Sequence, residues 1–289
     1  MHALDLHPRF SPEQGMRPAD HQSLITNHPV FRAFGTLTVA LVGVFAPSIA
    51  RAQRVFYSNT NAWFIINADV ALNERWGMLF DASMRRSGPI DEAMANFVRG
   101  GLAYSVTEHV RVAAGANYSK SYPYGEIPAA YAVPEVRFWE QVQLSHSIGK
   151  LDMSHRYRVE QRIRGLRSDP DIDDTDVWAR SGRFRYQIKG TLPLRGEEVE
   201  AGEAYLSASN EIFISYGENV QYNIFDQDRA TFVVGYRMNR NWRSEVGFLE
   251  HVVFKSNGID VERNHTLTFG LSYNRAAPKP GTVTPGTGS

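Results

Sequence analysis

Past its first fifty or so residues, the chain falls into about eleven segments in which apolar and polar residues alternate with period two, separated by turn-forming residues. A strand sends successive side chains to opposite faces, so such segments build sheet with one apolar and one polar face. The stretch from Ala230 to Met238 is the clearest case. Ala230, Phe232, Val234, Tyr236 and Met238 share one face, and Thr231, Val233, Gly235 and Arg237 the other. An apolar face turned toward lipid and a polar face turned toward a lumen is the pattern of a transmembrane β-barrel. A soluble, lipocalin-like barrel would leave the rows Val98, Leu102, Tyr104 and Phe232, Val234, Tyr236 as large exposed apolar patches, which soluble proteins avoid.

The segments run approximately over 62–72, 76–86, 96–106, 110–119, 135–148, 151–162, 178–192, 205–216, 227–238, 242–254 and 265–273. Tight connections fall at Asn73-Glu74-Arg75, Thr107-Glu108-His109, Gly149-Lys150 and Asn239-Arg240, and longer ones over 87–95, 120–134, 165–177, 217–226 and 255–264. Bacterial barrels keep short turns on the periplasmic side and long loops outside. In that register the first segment descends from the outside, so an ascending strand must precede it. The β-prone residues available are Val55-Phe56-Tyr57. Single-chain bacterial barrels carry even strand numbers, so an antiparallel, up-and-down barrel of 12 strands is expected in preference to 10.

The front of the chain reads as an export signal. An apolar run from Ala33 to Ile49 follows Arg32 and ends in Ala50-Arg51-Ala52, the A-x-A form of a signal peptidase site, so the mature chain is expected to start at Gln53. Gly35, Gly43 and Pro47 interrupt a run already short for a membrane-spanning helix. Residues 1–28 are polar and long for a signal, as they would be if translation begins at Met16 or near Val30. The expected organisation is an extension and signal over 1–52, a barrel over 53–275 and a disordered Pro/Gly/Thr-rich tail over 276–289. Formal net charge is zero, against a basic nucleic-acid binder, and cysteine is absent, which excludes disulfides, thiolate metal sites and cysteine nucleophiles together.

Alternation places a ladder of charge on the inward faces. Arg156, Arg158, Glu160 and Arg162 share a face, with Asp152 and Ser154 below them, opposite Tyr157 and Val159; Arg183, Arg185, Gln187 and Lys189 stand opposite Phe184, Tyr186 and Ile188. Glu211, Arg229 and Arg237 fall inward by the same parity, as do Arg243 with Glu245, Asp81 with Arg85, and Arg99. An Arg or Lys facing lipid at mid-membrane costs about 2 to 4 kcal/mol, which turns these groups inward. Two arrangements follow: a salt-bridged plug that fills the barrel, or an arginine-lined passage or cleft for anions. With Val136, Phe138, Val142 and Leu144 outward, Glu140 faces lipid too, unless a bulge near Trp139 or a polar partner relieves it.

Weaker signals complete the reading. Asp169, Asp171, Asp173 and Asp176 offer hard oxygen ligands, but Asp174 stands where a calcium-binding loop wants glycine and Arg180 where it wants a bidentate glutamate, so a solvated acidic loop is favoured over a metal site. A lipid hydrolase needs a hydroxyl within reach of an imidazole, and no His has a Ser two residues away on its own strand face, which leaves only cross-strand pairs. His146, His155, His251 and His265 read as interfacial or packing residues. Trp63, Trp76, Trp178, Trp242, Tyr118, Tyr216 and Tyr273 lie near expected strand ends, as membrane-interface girdles do. Tyr122, Tyr124 and Tyr131 sit in the longest loop, placed to cap the barrel or meet an external ligand.

Arg137-Phe138-Trp139-Glu140-Gln141, the run from Arg156 to Arg162 (R-x-R-x-E-x-R), Arg183-Phe184-Arg185-Tyr186, Asn210-Glu211 and Asp228-Arg229 together resemble a bacterial outer-membrane barrel family of unknown function, domain of unknown function 2490, over about Trp63 to Tyr273. The resemblance implies location in the cell outer membrane and supplies no activity, cofactor or catalytic residue. The expected lumenal cluster is Arg137, Arg156, Arg158, Glu160, Arg162, Arg183, Arg185, Glu211, Arg229 and Arg237. The expected function is non-enzymatic passage or binding of a small anionic solute, with a lipid-active enzyme or a sealed structural barrel as alternatives. Outer-membrane lipids and the barrel-assembly machinery are the expected partners.

Overall fold

A computed structural model describes residues 54–276 apart from Pro89, Pro170 and Ile172. The expected signal, the start at Gln53 and all but the first residue of the tail lie outside the described residues. The described chain is all β, with eleven strands: β1 (Val55–Ala71), β2 (Trp76–Ser87), β3 (Glu92–Ser105), β4 (Val110–Ser121), β5 (Val133–Ile148), β6 (Leu151–Leu166), β7 (Val177–Pro193), β8 (Glu203–Tyr216), β9 (Phe225–Arg237), β10 (Trp242–Phe254) and β11 (Asp260–Arg275).

Each strand pairs with its neighbours in sequence, and β1 closes the barrel against β11. That closing pair is parallel, from Val55↔Asp260 to Val70↔Arg275, whereas the successive pairs are antiparallel. The barrel is therefore mixed and odd-numbered, and neither 12 nor 10 strands is correct. Val55, Phe56 and Tyr57 do not form a separate ascending strand; they extend β1 in one 17-residue run, and parallel closure removes the need for an even count.

Three short turns use one device. Asn73 Oδ1 accepts from the amides of Arg75 (3.0 Å) and Trp76 (2.8 Å), Thr107 Oγ1 from those of His109 (3.2 Å) and Val110 (3.0 Å), and Asn239 Oδ1 from those of Asn241 and Trp242 (2.9 Å each). Asn, Asp, Ser and Thr are favoured in turns for this mimicry of backbone bonding. The fourth turn places Gly149 at φ 56°, open to glycine without steric cost. These turns lie at one end of the barrel, and the connection over 194–202 joins β7 to β8 at that same end, so the alternation of short and long is not strict.

Alternation sorts the side chains as the pleat requires. Outward positions carry an apolar belt including Ile66, Met78, Leu102, Phe138, Phe232, Val234 and Val246, each about half exposed. Trp76 packs on Tyr104 and Trp242 on Tyr273 (ring centroids 5.0 and 4.9 Å) at the short-turn end, and Phe225 packs on Phe254 at the other. Trp63 is a correction: it points inward and is 3% exposed, so it belongs to no girdle. Glu140 stays outward, with β5 in continuous register on both sides and no bulge; Gln161 Nε2 donates to its Oε2 at 3.0 Å.

Candidate functional site in the barrel lumen

The inward faces of β5 to β9 interlock by charge. Arg158 and Arg185 are direct cross-strand partners, as are Arg137 and Arg162, an arrangement that destabilises unless carboxylates intervene. They do. Glu160 receives Arg183 Nη2 on one oxygen and Arg185 Nη1 on the other, both at 2.6 Å, with Arg158 Nη1 at 3.9 Å. Glu211 takes Arg185 and Arg156 at 2.8 Å each, Glu135 takes Arg137 (2.6 Å) and Arg162 (2.5 Å), and Asp226 takes Arg183 (3.2 Å) and Arg162 (3.7 Å). Arg158 also donates Nε and Nη2 to Gln141 Oε1 at 3.1 and 2.6 Å. Glu160, Arg158 and Arg183 are 2–3% exposed, so these pairs act in a water-poor environment where removing one partner is costly.

Aromatic rings hold the guanidinium groups in place. Trp139 lies inward over Gly101 and Gly115, where an added Cβ would come within 2.6 and 2.7 Å of the indole. Arg158 and Arg99 stack over that indole at 4.8 and 5.5 Å. Phe213, fully buried, lies under Arg185 (4.5 Å), Arg229 (4.6 Å) and Arg183 (5.1 Å). A cation over an aromatic face is favoured, more so when both are desolvated.

The long-loop half of the lumen is closed. Asn61, Asn264, Thr266 and Glu262 are 0–1% exposed although all four are polar and point inward. Asn59 and Asn61 each donate a side-chain amide to Asn264 Oδ1 (3.2 and 3.0 Å), and Lys255 pairs with Glu262 at 2.6 Å. Tyr124, from the connection between β4 and β5, reaches in and donates its hydroxyl to Glu262 Oε2 at 3.1 Å. Burial, and then the Glu262 carboxylate, push that hydroxyl above the usual tyrosine range. Tyr131 stays at the edge of the connection, where its hydroxyl accepts from the Arg167 amide at 3.0 Å.

The short-turn half is open. A cavity of about 800 Å³ runs from Trp63, Leu249 and Arg229 at its floor to His109 and Ser147 at the rim, with Arg156, Lys189 and Glu211 on its lining. A side chamber of about 280 Å³ lies against Trp139, Arg158, Arg156, Lys189 and Arg243. Arg229 donates Nη2 to Gln227 Oε1 at 3.0 Å and forms no ion pair among the described residues.

Of the residues singled out by alternation, Arg137, Arg156, Arg158, Glu160, Arg162, Arg183, Arg185 and Glu211 come together in one network. Arg229 borders it across Phe213. Arg237 lies elsewhere, at the short-turn rim, donating to the carbonyls of Val199 (2.5 Å) and Arg240 (3.2 Å). Glu135, Asp226, Gln141, Trp139 and Phe213 were missed. Glu135 was legible, standing two residues before Arg137 on the same face, whereas the register shift near Phe213 obscured the parity of Asp226. In the acidic loop Asp169 accepts from the Asp171 amide at 3.0 Å, and Asp176 accepts from the Ser168 hydroxyl and amide, bonds that hold its carboxyl below the usual range. No three potential metal ligands converge there or elsewhere among the described residues. The imidazoles bond elsewhere than to hydroxyls of Ser or Thr: His155 Nδ1 to the Tyr186 hydroxyl (2.9 Å), His251 Nε2 to Gln227 (3.1 Å) and His265 Nδ1 to Glu250 (2.6 Å).

The family model described as "Protein of unknown function (DUF2490)" matches residues 60–278. No curated protein and no solved structure matches the chain.

Proposed function

The chain belongs to the DUF2490 family, whose description names no activity, and we propose from the lumen itself that it is a non-enzymatic outer-membrane barrel that binds a small anionic solute in a cup open at the short-turn end. One observation carries this. Most inward arginines and carboxylates satisfy one another, whereas Arg229 and Lys189 line the open cavity and form no ion pair among the described residues, although Asp69, Asp152, Glu211 and Glu245 share that lining. Guanidinium and ammonium groups held outside ion pairs in a partly desolvated cavity favour anions. Binding is preferred over passage because Asn61, Asn264 and Thr266, polar and inward in the long-loop half, are fully buried. The outward apolar belt and the aromatic pairs at both ends support placement in a membrane, with short turns toward the periplasm. The His–Tyr, His–Gln and His–Glu pairings favour a packing role for the imidazoles over lipid hydrolysis.

A ligand that binds the native state raises the unfolding temperature with its concentration. Small anions at constant ionic strength should do so here, while protein reconstituted in planar bilayers gives no stepwise current. Persistent anion-selective steps would replace binding with passage, and an unfolding temperature indifferent to every anion would remove the cup's function.

A further inference from the structure

Arg229, at the floor of the large cavity, and Arg85, behind that floor, carry charge that the ion-pair network leaves unused. Arg85 and Arg229 both stack on Trp63, their guanidinium carbons 3.8 and 5.3 Å from the indole centroid. Neither meets a carboxylate among the described residues: Arg85 donates Nε to Ser83 at 3.3 Å and Arg229 donates to Gln227. Arg229 Nε, Trp63 Nε1 and His251 Nδ1 are buried without a hydrogen-bond partner. Trp63 and His251 are each 3% exposed, and their rings meet edge to face at 5.5 Å. Those three atoms are closed off from the cavity, but the Arg229 side chain reaches its lining with Arg85 behind it across Trp63, so two cations outside any ion pair stand at one end of the cavity.

Above this floor the cavity has two kinds of wall. Ile65, Val233 and Leu249, on β1, β9 and β10, are apolar, whereas Gln143, Gln187 and Ser209, on β5, β7 and β8, are polar. Asp69, Asp152, Glu211 and Glu245 share the lining and oppose a second negative charge on a ligand. A guanidinium matches a planar carboxylate with two parallel bonds.

We propose that the floor binds the carboxylate of a small amphiphilic monoanion, received by Arg229 with Arg85 behind it across Trp63, while the apolar body lies along Ile65, Val233 and Leu249. This rests on the anion-binding reading above and adds the class of ligand.

The test is calorimetric titration of the protein in nanodiscs, with empty nanodiscs as the blank, using phenylacetate, inorganic phosphate and the uncharged phenethyl alcohol. Phenylacetate should bind at least about tenfold more tightly than either of the others, because only it offers both halves. Arg229→Gln should weaken phenylacetate about tenfold or more. Val233→Thr, nearly the same shape with a hydroxyl added, should weaken it severalfold and leave phosphate unchanged; this second variant serves if the first does not fold. Phosphate binding as tightly as phenylacetate would overturn the amphiphile and leave the anion cup standing. Alcohol binding as tightly as the acid would overturn the charged floor, and no binding by any of the three would overturn both proposals.

Discussion

Arg158 faces Arg185 across β6 and β7, and Arg137 faces Arg162 across β5 and β6; each like-charged pair is tolerated because a carboxylate sits between its members. Glu160 is the most connected of these, so Glu160→Gln should lower stability by about 3 to 5 kcal/mol, as breaking a buried ion pair does. Urea unfolding followed by tryptophan fluorescence reads the change, with exposed Glu108→Gln as a control expected to stay within about 0.5 kcal/mol of wild type. Equal stability of the two variants would mean that the network fills space without contributing energy. The seat of Trp139 offers a steric test. Gly101→Ala places a methyl 2.6 Å from the indole and 2.7 Å from the Ala114 carbonyl, and should cost about 1 to 3 kcal/mol by overpacking in the same assay. The ladder on β6 and β7 was legible because charge recurred at every second residue. The role of Trp139 was not, since a tryptophan beside outward Phe138 looks the same in sequence whether it meets lipid or a glycine-lined interior, and the glycines lie on other strands.

At the scale of the strand, parity is the lesson. Nine of the expected segments agree with their strands to within about four residues at each end, whereas β1 begins seven residues early, at Val55 in place of Ala62, and β11 five residues early, at Asp260 in place of His265, because the inward polar residues Glu262 and Asn264 conceal the start. Alternation specifies which face a residue takes but not which strand closes the sheet, so an even count was inferred from a rule about barrels instead of from this chain. The parallel β1–β11 seam can be checked directly, because the chain contains no cysteine of its own. Thr60 and His265 are cross-strand partners on that seam, so a Thr60→Cys, His265→Cys double variant should oxidise to a disulfide, while a Thr60→Cys, Leu271→Cys pair should not. The reverse result would show a different closure. Facing has its own check. Cysteines at Tyr157, Phe184 or Phe232 should react with lipid-phase probes, and those at Arg158, Arg185 or Arg229 should not; the opposite pattern would shift the register by one residue.

For the whole molecule, the lumen is a cup, buried in its long-loop half and open in its short-turn half. A sequence reading could not decide between a plug and a passage, because both need inward arginine and differ only in how far carboxylates from distant strands reach them. Glu135, Asp226 and Glu262 supply such carboxylates here, from β5, β9 and β11, with Tyr124 folded in from a connection. The division can be read with a charged, membrane-impermeant thiol reagent on single-cysteine variants in reconstituted protein. Ser145→Cys and Gln187→Cys, which line the open cavity, should be modified rapidly, and Asn61→Cys and Thr266→Cys, which are fully buried in the closed half, should be protected. Rapid modification of Asn61→Cys or Thr266→Cys from either side would contradict it, because an aqueous path would then run the length of the barrel.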